Sequence, residues 1–315
     1  MMSDQLPVKG YLYVINYAEG EESLCNLEMK VLFNQTLNDN KWLWSERAVD
    51  PSRSVFIKER LTVYYQAPSF EALYESVKEQ PLSFETFKIL FLRFKAQTLS
   101  YQERLQHLYG IGSLIGGEAD MYDPKQLLGL TQWNGQWLFG TLEPSNNEWV
   151  LHENKPHSYS FSLSVRVSRA VANIAVGHDF RKRIIDPCCG AGTVVLEVLT
   201  VGGQILGNEL NPKVAFKAEE NLKHYGYENV IQVGDIQDIN DHYDVAILDL
   251  PYGHFNPISP EVQRMIIENA RRIADELVIV TQVKMDEILV SAGFEVVDQC
   301  EAIKGKFVRY ITVCR

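Results

Sequence analysis

The chain has 315 residues, enough for two domains of ordinary size, each with its own core. Hydrophobic residues make up 46% and charged residues 23%, no run approaches the roughly 18 apolar residues of a membrane span, and the start, MMSDQLPVKG, lacks the basic-then-apolar order of a secretory signal, so a cytoplasmic globular protein is expected. The formal charge is −11 and neither half is basic, which excludes a long electrostatic track along a nucleic-acid backbone and leaves only a local patch for such contact.

In chain order, residues 11 to 17 predict a short strand. A helix over 21 to 33 follows, because Leu24, Leu27, Val31 and Leu32 recur at helical spacing. LTVYYQ (61 to 66) and TFKILFLRF (86 to 94) read as strands, with a helix opening at Ser69 whose Phe70, Leu73, Tyr74 and Val77 share a face. Ser100 followed by Glu103 is a capping box for a helix ending near Gly110, and 128 to 142 predicts a hairpin turning on Asn134-Gly135. This half is mixed α+β. The polar, turn-rich stretch beyond it reads as a linker, so the expected division is an N-terminal domain at 1–145, a linker at 146–160 and a C-terminal domain at 161–315.

After the linker the pattern alternates regularly: helix 163 to 177, strand 183 to 187, helix 192 to 201, strand 204 to 208. Asn211-Pro212 then starts a helix as N-cap and first residue, with Ala215, Ala218, Leu222 and Tyr225 along one stripe and Gly226 as its stop. Strands at 229 to 233, 244 to 249 and 277 to 282 follow, with a helix begun by Ser259-Pro260. The last two strands, 294 to 299 and 308 to 314, are joined by too short a loop to be anything but antiparallel neighbours. The fold class expected is α/β, a doubly wound, Rossmann-like sheet with an antiparallel last strand, plus an N-terminal α+β domain.

RIIDPCCGAGTVVLEVL (183 to 199) is an apolar strand, an acid, a glycine turn and a helix, the place where an open α/β sheet binds its ligand. Gly190 and Gly192 permit close backbone approach, and the helix start offers N–H groups to an anion. The loop lacks the third glycine of a dinucleotide fingerprint, and Asp186 suits an ammonium better than a pyrophosphate; the alternative is a structural turn without ligand. Glu209, just past the next strand, falls where an acid accepts from ribose hydroxyls. Asp235, at the end of the third strand, can accept from an adenine amino group while the N–H of Ile236 donates to the ring. In VAILDLPYGHF (245 to 255), Asp249 and the carbonyl of Leu250 can accept the two N–H bonds of an exocyclic base amine. Pro251 holds residue 250 extended, and Tyr252 offers a face on which an extruded base stacks.

DPCCGAGT, GNELNP, GDI and DLPYG, in that order, resemble class I S-adenosylmethionine (SAM) dependent methyltransferases with the D/N-P-P-Y type of catalytic motif. The stretch 155 to 175 before the first strand resembles more specifically the THUMP-containing tRNA guanine-N2 methyltransferases, and 109 to 140 is similar to the end of a THUMP domain. The resemblance implies a SAM-dependent enzyme that methylates the N2 amine of a guanine in tRNA, with a ferredoxin-like and THUMP-like RNA-binding domain at 1–145. It implies SAM contacts from Asp186, Cys188, Gly190, Gly192, Glu209, Asp235 and Ile236, and a target base held by Asp249, Leu250, Pro251 and Tyr252. Two departures stand out: Leu250 replaces the family's first proline, and Cys188 its common phenylalanine. Adenine N6, ribosomal-RNA guanine and a non-catalytic RNA-binding scaffold are the alternatives. The five cysteines are scattered without metal spacing, so no metal is expected. Arg166 and Arg169 are candidate phosphate contacts, whereas Arg181, Lys182 and Arg183 read as a solvated face. A monomer is expected, with a protein partner as one source of the missing basic surface.

Overall fold

Two seven-stranded sheets organise the chain. The structure is a computed structural model that describes residues 6–37, 41–94, 98–158, 162–250 and 259–315. The chain divides into two compact units, one of Met1–Asn16, Leu37–Ser52 and Ile57–Asn146, the other of Tyr17–Thr36, Arg53–Phe56 and Asn147–Arg315.

In the first unit, strands β1 (Gly10–Ile15), β2 (Trp42–Ser45), β3 (Ile57–Ala67), β4 (Ser83–Phe91), β5 (Gly116–Ala119), β6 (Gln126–Trp133) and β7 (Gln136–Pro144) lie in the order β2-β1-β3-β7-β6-β4-β5. The sheet is antiparallel except where β4 runs parallel to β5 and β6. The β6–β7 hairpin turns on Asn134 and Gly135 at φ 48° and 73°, the left-handed pair that a two-residue turn needs. Two helices, one over Phe70–Glu79 and one over Tyr101–Gly112, add their apolar faces to a core that includes Leu73, Val77, Ile111, Leu128 and Phe139. The capping box forms as expected: Ser100 Oγ accepts from the Glu103 N–H at 3.2 Å, and Glu103 Oε2 from the Ser100 N–H at 2.7 Å.

The second unit begins far upstream, with α1 (Glu22–Phe33). Helices α2 and α3 are the two of the first unit. There follow α4 (Val165–Val176), β8 (Arg183–Asp186), α5 (Thr193–Thr200), β9 (Gln204–Glu209), α6 (Pro212–His224), β10 (Ile231–Val233), β11 (Tyr243–Asp249), α7 (Pro260–Ile273), β12 (Ala274–Thr281), α8 (Asp286–Ser291), β13 (Val296–Lys304) and β14 (Phe307–Cys314). The sheet order is β10-β9-β8-β11-β12-β14-β13, parallel from β10 to β12, with β14 antiparallel to both its neighbours. This is the doubly wound α/β fold with an antiparallel strand that the alternation predicts. From β8 the chain winds first towards β10 and then, from β11, the other way. The switch point therefore lies between the C-terminal ends of β8 and β11.

Residues 17–36 and 53–56, expected in the N-terminal domain, thus pack with the second sheet. Polar groups hold them there. Glu28 on α1 is fully buried and accepts from Ser54 Oγ at 2.7 Å and from Asn173 Nδ2, while Arg53 donates to Asn173 Oδ1 at 2.8 Å and to the Gly177 carbonyl at 2.6 Å. Burial pushes the Glu28 carboxyl up from 4.5 to about 7, against the lowering effect of these donors. The expected linker is also built in: Glu148–Asn154 forms 3₁₀ turns with Trp149 and His152 buried, and His152 Nδ1 lies 2.6 Å from Glu197 Oε1 on α5. Among the described residues no helix is long and apolar enough to cross a membrane.

Candidate active site

β8 reads Arg-Ile-Ile-Asp, so its two central residues are core and its last, Asp186, arrives at the C-terminal edge with only 2% of its surface exposed. The carboxylate accepts from the Cys188 N–H at 3.2 Å. The loop then turns on Gly190 (φ 54°) and Gly192 (φ 75°). A Cβ on Gly192 would lie 3.1 Å from the Cβ of Ala218 on α6, whereas one on Gly190 would project into open space; Gly192 serves close packing of the loop on α6 and Gly190 leaves the backbone approachable.

Glu209, at the end of β9, reaches back to the same loop: its Oε2 accepts from the Gly190 N–H at 3.0 Å and its Oε1 from the Asn211 N–H at 2.8 Å. Asp235 follows β10 and accepts from the Gln237 N–H at 3.0 Å, with Ile236 buried beside it. Asp249 ends β11, level with Val280 of β12, and the buried Leu250 donates its N–H to the Val280 carbonyl at 3.3 Å. Pro251 and Tyr252 lie outside the described residues.

Electrostatics ties these acids into one site. Burial is the largest cause that holds the Asp186 carboxyl well above its ordinary 3.8, and the charges of Asp249 and Glu209 raise it further. Burial also pushes up the Cys188 thiol, and the carboxylates of Asp186, Glu209, Asp235 and Asp249 all add to that rise. Four acids from four strand ends therefore act together on Cys188, an acidic setting that favours a cationic ligand. Among the described residues no group of three or more His, Cys, Asp and Glu is placed to hold a metal ion.

Three residues not singled out from sequence help to build the site. Asn208 Nδ2 donates to the Pro187 carbonyl at 3.3 Å and the Gly234 carbonyl at 3.0 Å, joining the first and third strand-end loops. Asn221, fully buried on α6, accepts from the His157 N–H and donates to the His157 and Ala191 carbonyls, each at 2.9 Å. It fastens the glycine loop to the segment before α4. The buried Thr193 hydroxyl, in the first turn of α5, has no hydrogen-bond partner among the described residues.

Two expected phosphate contacts are not available for that role. Arg169 is 2% exposed, its Nε lying 2.6 Å from Glu197 Oε2 in an ion contact without hydrogen-bond geometry. Arg166 pairs with both carboxylate oxygens of Glu21 and lies over the Phe56 and Trp149 rings. Both are structural ties of α4. Arg181 and Lys182 sit at the opposite edge of the sheet from the acids, in a shallow depression with Asp179, Asp244, Asp275 and Glu276.

Residues 154–286 match the family described as UPF0020, RMKL-like, methyltransferase domain. The tRNA (guanine(10)-N2)-dimethyltransferase of Methanothermobacter thermautotrophicus is 29% identical over 154 residues, 45% of this chain and 46% of that protein. The enzyme of the same name from Pyrococcus abyssi is 27% identical over 107 residues, 32% of each. The chain thus spans less than half the length of these curated relatives. Among solved structures, TrmN from Thermus thermophilus superposes with a TM-score of 0.48 at 15% identity, covering 97% of this chain and 99% of that one. Over residues 154–286, the stretch that holds all four acids, the chain is similar to an RMKL-like methyltransferase domain.

Proposed function

We propose that the protein is a SAM-dependent RNA methyltransferase acting on the exocyclic N2 amine of a guanine in tRNA. The observation that carries this reading is the convergence of Asp186, Glu209, Asp235 and Asp249 at the switch point of the second sheet, in a segment similar to a methyltransferase domain. The activity for which the two relatives are named supports the choice of substrate.

The residues present suit SAM, whose ammonium and sulfonium are the cations that four carboxylates, one of them desolvated, call for. In this reading Asp186 takes the ammonium, and the backbone around Cys188, Gly190 and Gly192, with the start of α5, takes the carboxylate. Glu209 accepts from the ribose hydroxyls, and Asp235 and the Ile236 N–H hold the adenine. Bound SAM supplies an electrophilic methyl group. The work of the chain is on the acceptor, because an exocyclic amine shares its lone pair with the ring and is a poor nucleophile. Asp249 and the Leu250 carbonyl accept its two N–H bonds, so that the lone pair can develop towards the methyl, and Asp249 or water takes the proton. Pro251 and Tyr252 are assigned to aiming that carbonyl and stacking the base. The first unit is assigned to RNA capture on its resemblance to a THUMP domain, in a monomeric cytoplasmic enzyme.

The test is in vitro methylation of unmodified tRNA with deuterium-labelled SAM, followed by mass spectrometry of the digested nucleosides. Labelled N2-methylguanosine from the wild type and none from Asp249→Ala is the expected result. Label on adenosine alone would move the reading to adenine N6, and no label in any RNA would overturn it.

A further inference from the structure

The β13–β14 hairpin projects past the edge at which the acids sit. Val280 of β12 is level with Asp249 on one side and with Ile311 of β14 on the other, and the last pair between β12 and β14 is Thr281 with Tyr310. Beyond it β14 continues only alongside β13, through Arg309 opposite Ala302, Val308 opposite Ile303 and Phe307 opposite Lys304. At about 3.3 Å per residue the tip stands roughly 10 Å beyond the last β12 pair, and at about 4.8 Å per strand β14 is roughly 10 Å to the side of β11. From the level of Asp249 the two offsets combine to roughly 16 Å, so the tip stands beside the site and not over it.

The tip is Lys304-Gly305-Lys306-Phe307, with Gly305 at φ 62° making the turn. All four residues are exposed, and Phe307 shows 65% of its surface to solvent although no core requires an aromatic ring there. From Ala302 to Tyr310 there are three basic residues, Lys304, Lys306 and Arg309, and no acid, in a chain whose formal charge is −11. Lys284, in the loop after β12, adds its ammonium 5.7 Å from the Tyr310 ring. The hairpin is braced beside its tip: the Ile303 N–H donates to the Gly20 carbonyl at 2.8 Å, an approach so close that a Cβ on Gly20 would fall 2.4 Å from the Ile303 carbonyl oxygen. Lys30 on α1 pairs with Asp298 at 2.6 Å. A held base and a cationic, aromatic tip make a contact device rather than a fraying end.

We infer that this tip binds single-stranded nucleotides flanking the target base, Phe307 stacking on a base while Lys304 and Lys306 meet phosphates. The inference rests on the reading of the substrate as RNA and supplies the local basic patch that an acidic chain needs. Only exposed side chains are removed in its test. The full-length wild type, Phe307→Ala and the Lys304→Ala/Lys306→Ala double variant are titrated with fluorescent tRNA over a range of salt concentrations, with SAM affinity measured by calorimetry and melting temperature alongside. Phe307→Ala is expected to weaken RNA binding about tenfold or more. The double variant should reduce the slope of log Kd against log salt by about 1.4, that is about 0.7 for each phosphate contact. SAM affinity and melting temperature should stay at wild-type values. Wild-type RNA affinity and salt slope in both variants would overturn the inference while leaving the substrate reading in place. A wild type that binds SAM but no RNA would overturn both.

Discussion

The two edges of the second sheet are both crowded with charge, and they treat it differently. At the N-terminal edge, charges of opposite sign meet: Arg181 with Asp179 at 2.9 Å, and Lys182 and Arg315 each with Glu276 at 3.1 Å, all on side chains in contact with water. At the C-terminal edge Asp186, Glu209 and Asp235 accept from backbone N–H groups of the loops that follow β8, β9 and β10, and their charges add to that of Asp249 instead of cancelling it. Pairing at the first edge satisfies the protein by itself. Convergence at the second raises the cost of each buried charge, and it is this edge that the proposed function gives to a cationic ligand.

The contrast is broken most severely at Asp249. Asp249→Asn keeps the size of the side chain but replaces an acceptor with a group that can donate, and it should lower the single-turnover rate of methyl transfer by about 10²–10⁴-fold. SAM affinity should change little. A rate within a few-fold of wild type would remove Asp249 from the chemistry.

Asp186→Asn should weaken SAM binding by about 10–100-fold, the worth of one charge-assisted contact. The folded protein should gain stability from the same change. Because the folded-state pKa of Asp186 is raised, the folded chain holds a proton that the unfolded chain has already lost as pH climbs above 3.8. Wild-type stability therefore falls as pH rises from 3.8 through the folded value, and Asp186→Asn lacks this loss. Melting temperatures of both proteins at pH 5 and pH 8 check the sign: the variant should gain on the wild type as pH increases. SAM binding to the wild type should release protons and tighten over the same interval.

The acids of the C-terminal edge were legible because each ends a strand with a clear apolar signature, and strand ends in an alternating pattern fall on one side of a parallel sheet. The caps were legible for a similar reason: Ser100 with Glu103, and Asn211 before Pro212, carry out their chemistry within four residues. What sequence could not show is allegiance. Glu28 belongs to the second sheet through Asn173, 145 residues away, and the apolar stripe of α1 is silent about which sheet it covers. Arg166 and Arg169 looked free for phosphate because Glu21 and Glu197 are not near them in sequence. The short strands β2 and β5 and the first, polar residues of β3 give too little alternation to read. Asn221 did leave a signal: it sits beside Ala218 and Leu222 on the buried stripe of α6, where an amide is out of place unless it is bonded.

That residue gives the next test. Asn221→Ala removes three hydrogen bonds, one buried and two partly buried, and strands the Ala191 and His157 backbone groups, which should cost about 2–4 kcal/mol and lower the melting temperature by several degrees. Glu28 then separates burial from ligand demand, since its own protein donors answer it. Its folded pKa near 7 against 4.5 implies that wild-type stability falls between those pH values relative to Glu28→Gln, by on the order of 1–3 kcal/mol. SAM affinity of the variant should match wild type at every pH, unlike that of Asp186→Asn.

The smallest effect is expected at the N-terminal edge, and it completes the contrast. Arg181 is a solvated side chain whose pair with Asp179 spans two residues of one turn, and Lys182 holds Glu276 in partial contact with water. Such pairs contribute little, so Arg181→Ala and Lys182→Ala should each shift the melting temperature by no more than about a degree or two and leave methyl transfer and SAM affinity unchanged. Should either variant lose tRNA affinity by tenfold or more, the depression at this edge would be a nucleic-acid contact. The RNA would then have to reach both ends of the sheet, and the division between a self-satisfied edge and a ligand-seeking one would fail.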